Sequence, residues 1–329
     1  MNANQHAPDR GREAERPHQI PRRGWRDIAV RVKDEQSNDN LSIIAAGSAF
    51  YSLLALFPAL AAAVTIYGLV ADPAGIRQHL QAVADVIPPA AYKILQDQLG
   101  RIAQKAETTL GIGLAVSLAA ALWSANKGMK ALITSLNIVY DEKEKRGFIK
   151  LNGWSLLLTF CGIVFAILAL SGIVALPALI DRLGLPETIR NVLLLLRWPL
   201  MAFIGILGLA LIYRYAPDRQ RPQWQWVTWG SVLATLLWIA TSILFSWYVS
   251  NFDSYNKTYG SMGAVAILMM WFYLSVYFLL LGGEINAEME HQTRKDTTTG
   301  APRPMGRRGA HAADTLGAEH PPGTRREGR

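Results

Sequence analysis

From Met262 to Gly283 the chain carries no charged side chain. At about 1.5 Å rise per residue, such a run crosses the roughly 30 Å hydrocarbon core of a bilayer, and it reads as a transmembrane helix. The wider stretch from Tyr259 to Glu288 finishes in Glu284, Asn286 and Glu288. Carboxylates one turn apart at the end of a lipid-compatible helix need partners, so the end of this run is the first place to look for function.

A chain that is 51% hydrophobic yet has a mean hydropathy of only +0.16 must keep its apolar residues in blocks and its charges elsewhere. That pattern predicts an all-α polytopic membrane protein with polar tails. The single cysteine, Cys161, lies inside an apolar run, which excludes a disulfide framework and a thiolate metal cluster. The six histidines, His6, His18, His79, His291, His311 and His320, all fall outside the apolar runs, so no cofactor or metal site is expected. The formal charge of +8 is assigned to membrane orientation and anionic lipid head groups rather than to nucleic acid.

Six spans are expected. The first covers about Leu41 to Ala71, with Pro58 in its middle as a kink and Ala55, Ala59 and Ala63 as a smooth packing stripe. The second runs from Leu110 and leaves the bilayer near Lys127, carrying its own stripe of Ser117, Ala121 and Ala125. The third covers about Gly153 to Ile180 and the fourth Val192 to Tyr213, with Arg197 snorkelling from inside the run. The fifth covers Val227 to Val249, and the sixth is the charge-free run. Trp224, Trp226 and Trp229 form one aromatic belt; Trp247, Tyr248, Phe252, Tyr255 and Tyr259 form the other. Between the first two spans, Asp72 to Thr108 reads as amphipathic helices broken at Pro88-Pro89, lying on the membrane surface or capping the bundle.

Residues 1–38 are expected to be a disordered tail passing into a short interfacial helix near Trp25 to Lys33. Residues 39–291 form the membrane domain, and 292–329, a mixture of Gly, Pro, Arg and Thr, form a second disordered tail. Both tails are expected to be dispensable. Lys and Arg concentrate before the first span, after the second and fourth, and in the tail, which predicts that both termini are cytoplasmic and that the Asp72 to Thr108 segment is periplasmic.

Several stretches in order resemble the YihY/virulence factor BrkB family of bacterial inner-membrane proteins. They are AFYSLLALFP at Ala49 to Pro58, LWSANKGMKALITSLNIVYD at Leu122 to Asp141 with Arg146 and Phe148 beyond, RWP at Arg197 to Pro199, YRYAPD at Tyr213 to Asp218, and YGSMGA with GGEINAE in the last span. The resemblance covers about Trp25 to Glu290; Ala55 departs from it, where many relatives carry serine. It implies a multi-pass protein of the inner membrane. The family was once labelled ribonuclease, and envelope-related lipid handling has been suggested for it.

An enzyme is disfavoured, because the membrane interior offers no histidine and few carboxylates for metal or acid–base chemistry. The leading expectation is a transporter or lipid-translocating protein of the cell envelope; the alternative is a non-transporting scaffold or partner-binding protein. Depth counting places Asn126, Lys127, Arg214, Glu284 and Asn286 in one layer at the cytoplasmic mouth, with Arg214 or Lys127 expected as the partner of Glu284. Pro58 and Arg197 are further candidates. Membrane lipids are the expected partners.

Overall fold

The computed structural model describes residues 10–68, 112–251 and 261–319. A 3-10 turn, Pro17–Gln19, leads into α1, Arg22–Asn38. The chain then reverses at Asn40, whose φ of 53° is a left-handed conformation that asparagine tolerates better than most residues. Six long helices follow: α2 (Leu41–Gly68), α3 (Ile112–Val139), α4 (Phe148–Arg182), α5 (Glu187–Tyr215), α6 (Trp224–Asn251) and α7 (Ser261–Glu290). A four-residue helix, α8 (His311–Asp314), closes the described part of the chain.

The six long helices traverse the bundle alternately, and α7 is its central member, packed against α1, α2, α3, α6 and α8. α4 and α5 form an outer hairpin, with α4 against α3 and α5 against α6. All the links near residues 40, 140, 218 and 291 gather at one end, termed the terminal face because both terminal segments lie on it. Among the described residues, five helices, α2, α4, α5, α6 and α7, are long and apolar enough to cross a membrane. α3 carries Ser124, Asn126, Lys127 and Lys130 in its middle and is not in that set as counted over those residues. The expected amphipathic segment from Asp72 to Thr108, and the belt residues Phe252, Tyr255 and Tyr259, lie outside the described residues.

Close approach rests on small residues. Gly128 of α3 meets Ala55 of α2, where an added Cβ would sit 2.9 Å from the alanine Cβ. Ala55 is buried as its stripe predicted, and Ala62 with it, while Ala59 and Ala63 are half-buried. The α6–α7 crossing is tighter. A Cβ on Gly282 would lie 2.6 Å from Ala234 Cβ and 2.8 Å from the Gly230 carbonyl, so only glycine lets these backbones meet.

The terminal segments correct the expectation of disordered tails. Ala14, Ile20, Ile28 and Val32 form a buried cluster with Trp226 and Met289. Beyond α7, Gln292, Thr293, Thr297, Thr298, Arg308, Ala312 and Ala313 are all buried. The physical reason is that this segment needs no apolar stripe of its own: it is held by polar pairing. Thr298 bridges Pro222, Gln223 donates its backbone N–H to the Thr297 carbonyl at 2.8 Å, and the Arg308 guanidinium reaches the carbonyls of Arg294, Lys295 and Ala313 at 2.6 to 2.9 Å.

Candidate functional site

The polar side chains that the helices bury are concentrated toward the terminal face. Some of them join helices directly: the Ser48 and Ser135 hydroxyls, 2.7 Å apart, tie α2 to α3, and Thr159 of α4 donates to Asn126 Oδ1 of α3 at 3.4 Å. Deeper toward the face, Asn286 of α7 accepts from the Gly230 N–H at 2.9 Å and donates to the Val227 carbonyl at 3.3 Å. Asn286 is therefore a clamp between α6 and α7.

The link between α3 and α4 is held by a polar lattice. Asn137 donates to Glu144 Oε2 at 3.0 Å and accepts from the Asp218 N–H at 2.8 Å. Asp218 accepts from the Lys145 N–H at 2.7 Å, and Arg146 forks onto both Glu144 oxygens at 2.7 and 2.6 Å. Tyr213, fully buried, donates its hydroxyl to the Leu279 carbonyl at 2.7 Å. Asn137, Arg146, Tyr213 and Asp218 all belong to the stretches that carry the family resemblance, and their visible work is to lock loops together.

Three acidic residues near the end of α7 have different environments. Glu288 is paired with Arg31 of α1, whose guanidinium also donates to Gln292 Oε1 at 2.8 Å, to the Glu288 carbonyl at 3.0 Å and to the Ala318 carbonyl at 2.9 Å. His291 Nδ1 lies 3.1 Å from the other Glu288 oxygen. Glu290 receives Arg219 Nη2 at 2.6 Å and the Thr297 hydroxyl at 2.7 Å. The Arg219 guanidinium lies 4.7 Å above the Tyr140 ring. Burial disfavours the Arg219 cation, but Glu290, Tyr140 and Glu142 outweigh it and hold its pKa above the ordinary arginine value.

Glu284 stands apart. It is 2% exposed, Oε2 has no hydrogen-bond partner, and it makes no ion pair among the described residues. The charges that bear on it most strongly are Asp39, Glu288, Glu35 and Asp141, all acidic. This corrects the expected layer of five. Arg214 is occupied elsewhere: its guanidinium donates to the Pro222 carbonyl and stacks 4.5 Å over Trp224, in the loop that its own helix enters. Lys127 is exposed, because Asn126 and Gly128 take the inward face and the next position on a helix turns about 100° away. Asn126 and Asn286 are buried as expected, but each serves a separate helix pair. Pro58 is half-buried within α2, and Arg197 is half-buried with its guanidinium 4.9 Å over Trp198.

The pairings Arg31–Glu288 and Arg219–Glu290 were missed by sequence reasoning, which looked for partners within the spans. One signal was present: Asp27, Ile28, Arg31 and Val32 are the buried face of α1, at spacings of one helical turn, and mix charges with aliphatics.

Fold and site together define an integral, all-helical membrane protein closed at one end by its own terminal segments. The chain belongs to the Virulence factor BrkB family, whose profile matches residues 32–306, past the end of α7 and into the docked terminal segment. It is 34% identical over 252 residues to the ribonuclease-like protein YfkH of Bacillus subtilis, covering 75% of this chain and 89% of that protein. A UPF0761 membrane protein of Pseudoalteromonas translucida is 26% identical, covering 83% and 88% of the two chains. Another, of Idiomarina loihiensis, is 24% identical, covering 77% and 87%. No solved structure matches the chain.

Proposed function

We propose that this protein moves an amphiphile, a lipid or lipid-like molecule, across or within the bacterial inner membrane. In this reading it makes six spans with both termini cytoplasmic, and catalyses no covalent chemistry. The observation that carries the proposal is the unequal packing of α7. Although α7 is the central helix, no residue from Ile267 to Ser275 is buried, whereas most residues from Val276 onward are. α5 repeats the pattern, with no buried residue before Ala210. A bundle loose at one end and sealed at the other by a polar layer suits a path that opens to an apolar-tailed substrate from the membrane and closes at the terminal face. The second reading, a scaffold, is favoured by that same terminal face, which several separate chain segments build together.

Purified full-length protein in liposomes, assayed for movement of head-group-labelled phospholipid between leaflets, tests translocation. Acceleration over protein-free vesicles is expected; equal rates would leave the scaffold reading. Orientation is tested by single cysteines at positions 95, 145, 255 and 305 in a Cys161→Ser background. Labelling of positions 145 and 305 by an impermeant reagent in unbroken cells would overturn the cytoplasmic assignment.

A further inference from the structure

We propose that Glu284 is a proton-binding site, exchanging its proton with water at the terminal face by way of Asp39, and that its charge state sets how firmly that face is sealed. The geometry comes first. Glu284 Oε2 is buried with nothing to donate to it, and no cation pairs with the residue, whereas the other buried carboxylates among the described residues each have one: Arg31 for Glu288, Arg219 for Glu290, whose Oε1 is otherwise also without a donor, and Arg10 for Asp27 at 2.6 Å. An ionised carboxylate in that position carries a large desolvation cost with no cation to offset it. Bound to a proton, the same group is a neutral acid, and the cost disappears.

The groups facing Glu284 from each neighbouring element agree. The α1–α2 corner contributes Glu35 and Asp39, the end of α3 contributes Asp141, and α7 itself contributes Glu288, which Arg31 already neutralises. Tyr140 stands nearby, with Asn286, Arg219 and Glu290 around it, and Arg219 belongs to Glu290. The docked segment contributes His311, whose Nδ1 lies 3.6 Å from Asp141 Oδ2 and so serves that carboxylate instead. A proton is favoured over a metal ion because, among the described residues, no group of three or more His, Cys, Asp or Glu side chains is placed to hold one.

Asp39 supplies the route. It is half-exposed at the mouth of the corner and makes no ion pair among the described residues, and burial together with Asp141 and Glu35 pushes its carboxyl up to about 6. A carboxyl that titrates near neutral pH passes protons both ways. In this proposal hydronium at the face gives its proton to Asp39 and becomes water, the proton passes on to Glu284, and the reverse sequence returns it. When Glu284 loses the proton, its charge needs water or a cation, which loosens the contacts that close α7 against α2 and α3.

The coupling of this site to substrate movement rests on the translocation reading; the site itself does not, so its test uses no substrate. Purified full-length protein is followed by infrared difference spectroscopy across a pH titration, with melting midpoints taken at each pH. The protonated-carboxyl band should persist at neutral pH, disappear at alkaline pH, and be absent in Glu284→Gln. Glu284→Asp, which keeps a carboxyl, should keep a shifted band and guards against a Gln variant that fails to fold. Glu284→Gln, an uncharged stand-in for the protonated acid, should melt no lower than wild type at neutral pH, because a neutral side chain there carries no charge-desolvation cost. Asp39→Asn should slow the exchange without removing the band. A band unchanged in Glu284→Gln would overturn the proposal, as would a melting midpoint that rises with sodium at fixed pH and ionic strength.

Discussion

The two halves of the bundle are built by different rules. At the terminal face, helices are joined by named pairs: Arg31 with Glu288, Arg219 with Glu290, Asn286 with the start of α6, and Asn137 with Asp218. In the opposite half, among the described residues, side chains are less buried; Leu195, Leu196, Trp198 and Phe203 of α5 are 55 to 69% exposed. A polar pair fixes one arrangement, because any other leaves a buried group unpartnered, whereas aliphatic side chains facing lipid tolerate many arrangements at similar energy. The difference teaches where one arrangement is enforced: at the end whose buried polar groups have named partners.

The comparison breaks most visibly at Arg31. Arg31→Ala removes the partner of a buried carboxylate and should cost about 4 kcal/mol, with Glu288→Gln recovering part of the loss in a double-mutant cycle of thermal midpoints. Simple additivity would mean that the two side chains are solvated separately. Gly282→Ala comes next, at about 3 kcal/mol, because the added Cβ meets Ala234 and the Gly230 carbonyl, and neither is the free end of a flexible chain.

Deleting residues 297–319 strips Thr297 from Glu290, takes away the buried Ala312 and Ala313, and removes the Ala318 carbonyl from Arg31. About 2 kcal/mol of stability should be lost, and hydrogen exchange should quicken at the terminal face while the outer hairpin is unchanged. A deletion that leaves the exchange pattern untouched would return this segment to the status of an accessory.

Asp39 sharpens the contrast through pH. Its carboxyl is raised to about 6 from 3.8, so the folded state binds the proton more tightly than the unfolded one, and stability falls as pH climbs through that window. Asp39→Asn should therefore gain about 1 kcal/mol at neutral pH, a figure already reduced for partial exposure, and nothing below about pH 4. The smallest effect belongs to the loose half: Leu196→Ala or Phe203→Ala should stay within about 0.5 kcal/mol in thermal melts, and a larger loss would show that these side chains pack after all.

What was legible in the sequence was whatever depends on local composition. α2, α4, α5, α6 and α7 are long apolar runs, and the small-residue stripe through Ala55 marks a close crossing. Asn126 and Asn286, read as amides in the layer around Glu284, are both buried, but each serves its own helix pair. What was hidden depends on pairing at long separation. Arg214 reads as a free cation at the right depth, yet the Trp224 ring and the Pro222 carbonyl a few residues on capture it first. The segment after His291 has a composition that ordinarily stays unfolded; it packs because other elements offer it carbonyls, threonine partners and an arginine socket that its own residues do not reveal.

The distance along the chain between Arg31 and Glu288, 257 residues, also has a meaning in time. At roughly 5 to 20 residues per second, a ribosome takes about 10 to 50 seconds to make the partner that α1 awaits. Throughout that interval the first helices are already entering the bilayer while Arg31 and the α1 apolar face wait for the residues that cover them. The terminal face is thus a closing stitch, drawn tight only when α7 and the residues after it have left the ribosome. A chain stalled before Glu288 would hold inserted helices without their seal, and it would present to quality-control proteases a surface that the finished molecule hides.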